Sequence, residues 1–334
     1  MKYILLVLLI SASLFGDKIL KIATYNVENL FDLQKSGYEY SEYVPNGSSE
    51  WNQKNYKIKL KNIAQVIKDI DADIIALQEI ESLQALLDLR FALKQNGLYY
   101  EHYAIADKKN TTVKVAILSK IPFLYSKELS VTQTYEYRNI LETKFKIDDK
   151  ELYIFVNHWK SKSGPESMRV ISAKTLKNRI TEIGYDKNIV LLGDFNSDYE
   201  EHLKFVKKRN HNDTDGITGI NHILGTINQR NYSSYLNYTK NSFYNLWYDA
   251  NEENRYTYIY KGKKEALDSI LISQSLLGKK GIFYINKSVT NFNKEYLFKK
   301  SNINRWEISR AKVRKHKGKG YSDHLAIVAK FKIN

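Results

Sequence analysis

Cysteine is absent from the 334 residues, methionine occurs twice and proline three times. Without cysteine there is no disulfide, no thiolate metal ligand and no cysteine nucleophile, so the fold must rest on an ordinary apolar core. Seven histidines are few for an imidazole-rich zinc centre. Beyond the N-terminus no segment approaches the roughly 18 unbroken apolar residues of a membrane helix. No internal period suggests repeats, and no Gly/Ser-rich or Pro-rich stretch marks a linker.

Basic residues are plentiful: 52 Lys and Arg against 37 Asp and Glu, a formal charge of +15. Such an excess favours polyanions or acidic surfaces as partners, with coding bias toward Lys as the plain alternative. The N-terminus, MKYILLVLLISASLFGD, sets Lys2 before a short apolar run from Ile4 to Leu14 and then Gly16. That pattern reads as a secretory signal over residues 1–16, leaving 17–334 as one exported domain, periplasmic or fully secreted. A retained N-terminal anchor is the other reading.

Apolar spacing then orders the chain. Ile19–Val27 reads as a strand, NYKIKLKNIAQVIKDI as an amphipathic helix, and Ala72–Ile80 as a buried strand. A second helix is stopped at Gly97, and YEHYAIA, VKVAILS, LETKFKI and KELYIFVNHW read as strands. ESMRVISAKTLKNRITEIG is a third helix before the strand NIVLLGD. From Tyr199 to Gly262 the pattern weakens into strands joined by long loops. Strands with interspersed helices favour two layered sheets over one parallel sheet.

Polar residues cluster where these strands end: Asn26 and Glu28 in TYNVEN, Glu79 in LQEIE, Asn157 and His158 in VNHW, Asp194 and Asn196 in GDFN, Asp268 in LDSILIS, and Asp323 with His324 in SDHLAIVA. Each alone is an ordinary turn residue. Six at strand ends point to one functional edge. In LGDFNSD, Gly193 is read as letting the strand leave its sheet tightly. Asp194 and Asn196 then face one side of an extended backbone, and Phe195 faces the core.

In order, NVENLF, LQEIE, NHWKSKSG, GDFN and SDH resemble the endonuclease, exonuclease and phosphatase superfamily, from Ile22 to Val328. The combination of NVENLF with NHWKSKSG looks most like its bacterial extracellular or periplasmic nucleases. The resemblance implies a four-layer α/β sandwich, with two packed, mixed, mainly antiparallel sheets flanked by helices. It also implies divalent-metal-dependent hydrolysis of phosphodiesters. Such chemistry needs a cation on the phosphoryl oxygens, an in-line water and help for the leaving oxygen. Magnesium suits it, with hard oxygen ligands and one or two carboxylates; manganese or calcium is a substitute or second ion. Glu79 is the first expected ligand with Asn26 beside it, and the resemblance adds Glu28 and Asp323. His324, oriented by Asp268, fits a proton-transfer group. By resemblance, that pair activates water or stabilises the phosphoryl charge, Asp194 and Asn196 orient water and phosphate, and His158 binds a non-bridging oxygen or assists the leaving group. Asp194 and His324 both stand as general base. Substrate contacts are expected from Asn26, Arg138, Asn157 and Lys160.

Between Lys294 and Lys319 ten basic residues face two acids, so net +8 sits immediately before SDH. This favours a polyanion running past the metal, with Lys312 and Lys315 on its phosphates and Trp306 or Tyr296 against its bases. The resulting expectation is a monomeric, magnesium-dependent endonuclease acting on DNA, and on RNA as a variant of that reading, with little sequence preference, leaving 5′-phosphate and 3′-hydroxyl ends. The alternatives are a phospholipid phosphodiesterase or phosphatase on the same scaffold, and a nucleic-acid-binding protein without catalysis. His102, His202, His211, His222 and His316 are assigned no role.

Overall fold

The computed structural model describes residues 18–205, 211–227 and 241–334. The segment read as a signal, and the part of the aromatic stretch from Tyr232 to residue 240, lie outside them. In chain order the strands are β1 (Lys18–Leu30), β2 (Ile74–Ile80), β3 (His102–Ile105), β4 (Lys114–Ser119), β5 (Phe123–Leu129), β6 (Ile140–Ile147), β7 (Lys150–His158), β8 (Ile189–Asp194) and β9 (Tyr244–Asn245). There follow β10 (Tyr258–Tyr260), β11 (Lys263–Glu265), β12 (Asp268–Ile272), β13 (Ile282–Tyr284), β14 (Thr290–Asn291), β15 (Phe298–Lys299), β16 (Asn302–Ile303) and β17 (Ile327–Ile333). The long helices are α1 (Gln53–Ile70), α2 (Leu83–Gln95) and α3 (Glu166–Ile183).

One sheet runs β13-β17-β1-β2-β4-β3 with β14 beside β17; the other runs β5-β6-β7-β8-β12-β9. Only β1/β2 and β7/β8 are parallel in these sheets. The alternation of strand side chains explains the layers. In β2, Ile74 and Ala76 enter the core between the sheets, while Ile75 and Leu77 pack with Ile63 and Ile67 of α1 and Leu86 and Leu89 of α2. In β8, Val190 and Leu192 enter the same central core, while Ile189 and Leu191 meet Ala173, Leu176 and Ile180 of α3. Both faces of each central strand are therefore covered, which accounts for the unbroken apolar runs in sequence. The result is the four-layer sandwich of two mixed, mainly antiparallel sheets between helices.

Helix ends follow local chemistry. The Asn52 side chain accepts from the backbone N–H groups of Lys54 and Asn55 at the start of α1, and Ser82 caps α2 by accepting from that of Ala85. Two sequence readings need correction. Phe123–Leu129 is a strand that was not anticipated; its residues from Leu124 to Glu128 are exposed, as suits an edge strand without an apolar pattern. The described part of Tyr199–Gly262 is mostly short helical turns and loops, with only β9 and β10 as strands, because its tyrosines fill gaps between elements. Among the described residues no helix is long and apolar enough to cross a membrane.

Candidate active site

The two parallel pairs deliver their C-terminal ends to one edge of the sandwich. Register places Asn26 of β1 beside Gln78 of β2, and His158 of β7 beside Asp194 of β8, which in turn faces Asp268 of β12. Beyond Asn26 and Gln78 the β1/β2 register shifts. There Glu28, Asn29 and Glu79 adopt left-handed φ of 53°, 60° and 65°. Such irregularities re-aim side chains and gather at functional sites. Here the bend turns the Glu79 carboxylate toward the second sheet, where Oε1 accepts from Asn26 Nδ2 at 3.1 Å and Oε2 from the Asn29 N–H at 2.9 Å.

Asn26 joins the two sheets. Its Nδ2 also donates to Asp194 Oδ2 at 3.0 Å, while its Oδ1 accepts from the Glu28 N–H. His158 Nε2 lies 3.8 Å from Glu79 Oε1 and 3.6 Å from Asp194 Oδ2. The buried Nδ1 of His158 has no hydrogen-bond partner among the described residues. On the other side of Asp194, His324 Nδ1 sits 2.7 Å from Asp268 Oδ2. The Thr257 hydroxyl donates to that same oxygen at 2.5 Å.

These groups open into a cleft of about 750 Å³, which Arg138, Asn196 and Asp323 also line. The histidines are driven to different charge states, one neutral and one cationic. Burial, then the positive Arg138 and His324, hold His158 well below the ordinary imidazole range. For His324 burial opposes charging, yet the Asp268 carboxylate and its hydrogen bond raise it well above that range. Burial first, then Asp268, push Asp194 up to about 7. Burial and then Asp323 raise Glu79. A neutral imidazole, an imidazolium and a carboxylate poised near neutrality make a set able to move protons at pH 7.

The donor set suits a hard divalent cation. Glu79, His158 and Asp194 each offer an atom within 4.8 Å of the others, and Asp194, Asp268 and His324 form a second such group. Buried carboxylates that raise one another's pKa are what a bound cation would relieve.

Other expected residues sit elsewhere. Glu28 is buried and turned away from the cleft, bound by Arg305 and by the Trp306 N–H at 3.0 Å. Asn157 is fully buried, its amide donating to the Phe155 and Leu192 carbonyls and accepting from Trp159 Nε1, so no polar atom remains for a substrate. Lys160 does not line the cleft, whereas Lys162 does, paired with Glu201 at 2.8 Å. Lys315 pairs with Glu50, and neither it nor Lys312 lines the cleft. Trp306 is buried with Nε1 donating to His316 Nδ1, and the Tyr296 hydroxyl donates to Asp69, so neither is placed to meet bases. Asn196 is not on extended backbone. Its φ is 48°, its N–H donates to Asp194 Oδ1, and its Nδ2 donates to the Trp159 carbonyl. Gly193 remains in the strand, where a Cβ would lie 2.1 Å from the Asn157 carbonyl oxygen; close approach of β7 requires it. Phe195 does face the core.

Sequence reasoning missed His211, Tyr258 and Tyr260, which line the cleft, and Thr257 behind Asp268. None carries a local motif. Only the alternation of Tyr258, Ile259 and Tyr260 hinted at a two-faced strand.

Residues 21–332 match the profile of the Endonuclease/Exonuclease/phosphatase family. Among curated proteins none matches the chain. Similar solved structures include an endonuclease/exonuclease/phosphatase family protein from Bacteroides thetaiotaomicron, at 16% identity and TM-score 0.57, covering 96% of this chain and 100% of that one. TDP2 of D. rerio, complexed with a single-strand DNA product, is 15% identical with TM-score 0.58, covering 94% and 99%. A mannosyl-6-phosphatase from B. thetaiotaomicron is 16% identical with TM-score 0.55, covering 93% and 99%. These likenesses are of fold.

Proposed function

The chain belongs to the endonuclease/exonuclease/phosphatase family, whose members are metal-dependent phosphoester hydrolases, and we propose that it is an exported, magnesium-dependent endonuclease cutting DNA with little sequence preference. The observation that carries this reading is the placement of two histidines, His158 neutral and His324 cationic, on either side of Asp194 in a cleft whose other wall is Glu79. Glu79 would hold the ion, with Asn26 and Asp194 adjoining. When bound, the ion would neutralise charge on the phosphoryl oxygens and sharpen the attacking water.

The protein's own residues supply the remaining chemistry. His324, kept protonated by Asp268, stabilises negative charge on the phosphoryl group. Its proton commitment leaves Asp194 as the general base that takes a proton from water. Asn196 orients that water. Neutral His158 donates to a non-bridging oxygen or to the leaving group, and Arg138 contacts the backbone phosphate. Attack of that water with loss of the O3′ oxygen, protonated as it leaves, would give 5′-phosphate and 3′-hydroxyl ends. Among the lining residues Leu267 is the sole aliphatic one, which favours nucleic acid over a lipid surface.

The basic segment before SDH contributes less directly than its sequence suggests. Lys299, Arg310, Arg314 and Lys317 line a separate groove, which meets the cleft where Arg305 pairs with Asp323 at 3.2 Å. Arg314 and Lys299 are themselves paired with Glu42 and Glu307. Neutralising Lys315 should therefore leave the salt slope of DNA binding unchanged. Neutralising Arg310, for which no ion pair is found among the described residues, should reduce it by about one. Binding titrations from 50 to 200 mM salt check both.

Digestion of supercoiled plasmid by the purified protein lacking residues 1–16, with and without chelator, tests the reading. Relaxed and then linear DNA, chelator-sensitive and bearing 5′-phosphates, is the expected result. Intact plasmid with release of inorganic phosphate from a monoester would establish a phosphatase instead. Export is tested by fractionating cells that express the full chain: mature protein outside the cytoplasm is expected.

Metal binding should also register without catalysis. Asp194 has an ordinary pKa of 3.8 and a folded one of about 7. A raised carboxyl pKa means that the folded state holds the proton more tightly, so this group favours folding below about pH 4. That contribution is lost as pH rises to about 7. A cation at the cluster displaces that proton. The stabilisation by magnesium, read as a rise in Tm, should thus be larger at pH 7.5 than at pH 5, with a free energy of about 2.7 kcal/mol at a hundredfold excess over Kd. An equal or smaller rise at pH 7.5 would contradict an ion at these carboxylates.

A further inference from the structure

Strands β10 and β11 form a two-stranded sheet separate from both large sheets. A lone hairpin of three-residue strands has little stability of its own, so its position must come from its base. Tyr256, just before it, is buried in the core against α1 and α2, and Ile259 packs on the same cluster. Thr257 donates to Asp268, while its carbonyl accepts from the Leu325 N–H. The base of the hairpin is thus tied to both members of the His324–Asp268 pair. Tyr258 completes the link, bridging to His324 through the backbone, with ring centroids 5.0 Å apart.

Alternation sorts the rest of the hairpin. Tyr258 and Tyr260 line the cleft while Ile259 faces the core. Across the ladder Tyr258 pairs with Glu265, Ile259 with Lys264 and Tyr260 with Lys263. Directly paired residues share a face. Glu265 accordingly lines the cleft as Tyr258 does, and Lys263 stands on the cleft side next to Tyr260. Lys264 lies on the opposite side, its ammonium 4.1 Å from the Tyr256 ring. The turn between the strands is Lys261–Gly262, both with left-handed φ, so Lys261 crowns the tip. Lys261, Lys263 and Tyr260 are exposed, Tyr260 by 54%. No ion pair is found for either lysine among the described residues. The Lys261 ammonium lies 5.3 Å from the centroid of the Tyr260 ring, so an exposed aromatic and two lysines without an ion pair among the described residues stand together at the cleft rim.

We propose that this hairpin is a clamp for nucleic acid, with Tyr260 stacking on a base or sugar beside the scissile phosphate and Lys261 and Lys263 meeting flanking phosphates. The proposal rests on the cleft acting on phosphodiesters and specifies its substrate as a polymer. Neither lysine lines the cleft, so a small ester held there has no need of them, whereas a polymer that continues past Tyr260 is the ligand able to reach them. Aromatic stacking combined with cations that follow the backbone is the ordinary means of holding nucleic acid without reading sequence.

The test compares wild type with the double variant K261Q/K263Q and with Tyr260→Ala. Anisotropy of a labelled 20-nucleotide DNA in chelator reads binding without cleavage. The double variant should bind at least tenfold more weakly, with the salt slope reduced by about two. Tyr260→Ala should weaken binding while preserving the slope, since stacking carries no charge. With magnesium, K261Q/K263Q should lose plasmid cleavage mainly through KM and hydrolyse bis(p-nitrophenyl) phosphate within twofold of wild type. Unchanged DNA affinity and slope in the double variant would overturn the clamp, as would a parallel loss on plasmid and small ester, which marks a merely structural hairpin. Wild type that binds DNA through these lysines and leaves plasmid uncut would refute the endonuclease reading and retain the clamp.

Discussion

His324→Ala is expected to lower plasmid cleavage by about 10²- to 10⁴-fold, the usual range for a group that charges or moves a proton in the transition state. The imidazole is buried against Asp268 and adjoins Asp194, so its removal strips the site of its cation and leaves the two acids facing one another. Asp268→Asn separates charge from mere presence. Asp268 is the chief source of the raised His324 pKa, and the amide cannot support an imidazolium equally well. If imidazolium is the working form, the alkaline limb of the kcat/KM profile should move to lower pH in Asp268→Asn, with activity best preserved on the acid side. A limb that stays in place would assign the alkaline titration to another group. The same pair affects folding. Because its folded pKa lies above the unfolded 6.5, the stability it supplies is complete below about pH 6.5 and is lost as pH rises through the folded value. Thermal unfolding of wild type and Asp268→Asn should therefore converge at high pH.

Glu79→Gln should be comparably severe for a different reason. The amide keeps the volume and its one oxygen can accept from either the Asn26 amide or the Asn29 N–H, though not from both as the two carboxylate oxygens do, so unchanged thermal unfolding without metal is the check that the bend at residue 79 is kept. What disappears is the negative charge that would hold the cation. The electrostatic stabilisation of a phosphoryl transition state by a metal amounts to several kcal/mol, and a loss of ~4 kcal/mol is about 10³-fold in rate. The magnesium-dependent rise in Tm should vanish in parallel. Full retention of that rise with a collapsed rate would move the ion to other ligands and give Glu79 a role in proton chemistry.

The layers and the strand-end clusters were legible because each rests on a local signal. Unbroken apolar runs such as Ile189–Leu192 imply strands covered on both faces, and the runs ending at Asn26, Glu79, His158 and Asp194 stop on polar residues at one edge. What could not be read is set by contacts between distant segments. Glu28 and Glu79 look alike in sequence, the first lying two residues after Asn26 and the second directly after Gln78, each within or near a strand end. Only the packing of Arg305 and Trp306 against Glu28 separates a buried structural acid from a cleft acid. Asn157 and Asn26 differ in the same way: one amide is consumed by its own neighbours, and the other spans two sheets. Charge density also misled. A dense basic run resembles a binding path, yet long cationic side chains seek nearby acids, as Lys315 finds Glu50 and Arg314 finds Glu42. The less conspicuous YKGKK turn leaves Lys261 and Lys263 exposed and without an ion pair among the described residues.

The amide bridge from Asn26 to Asp194 spans 168 positions, and the bond from Arg305 to Glu28 spans 277. Contacts of such length form only after most of the polypeptide has been made and both halves have met. A fragment ending before residue 324 lacks the imidazole that meets Asp268, so its two strand-end acids would face one another with no positive partner between them.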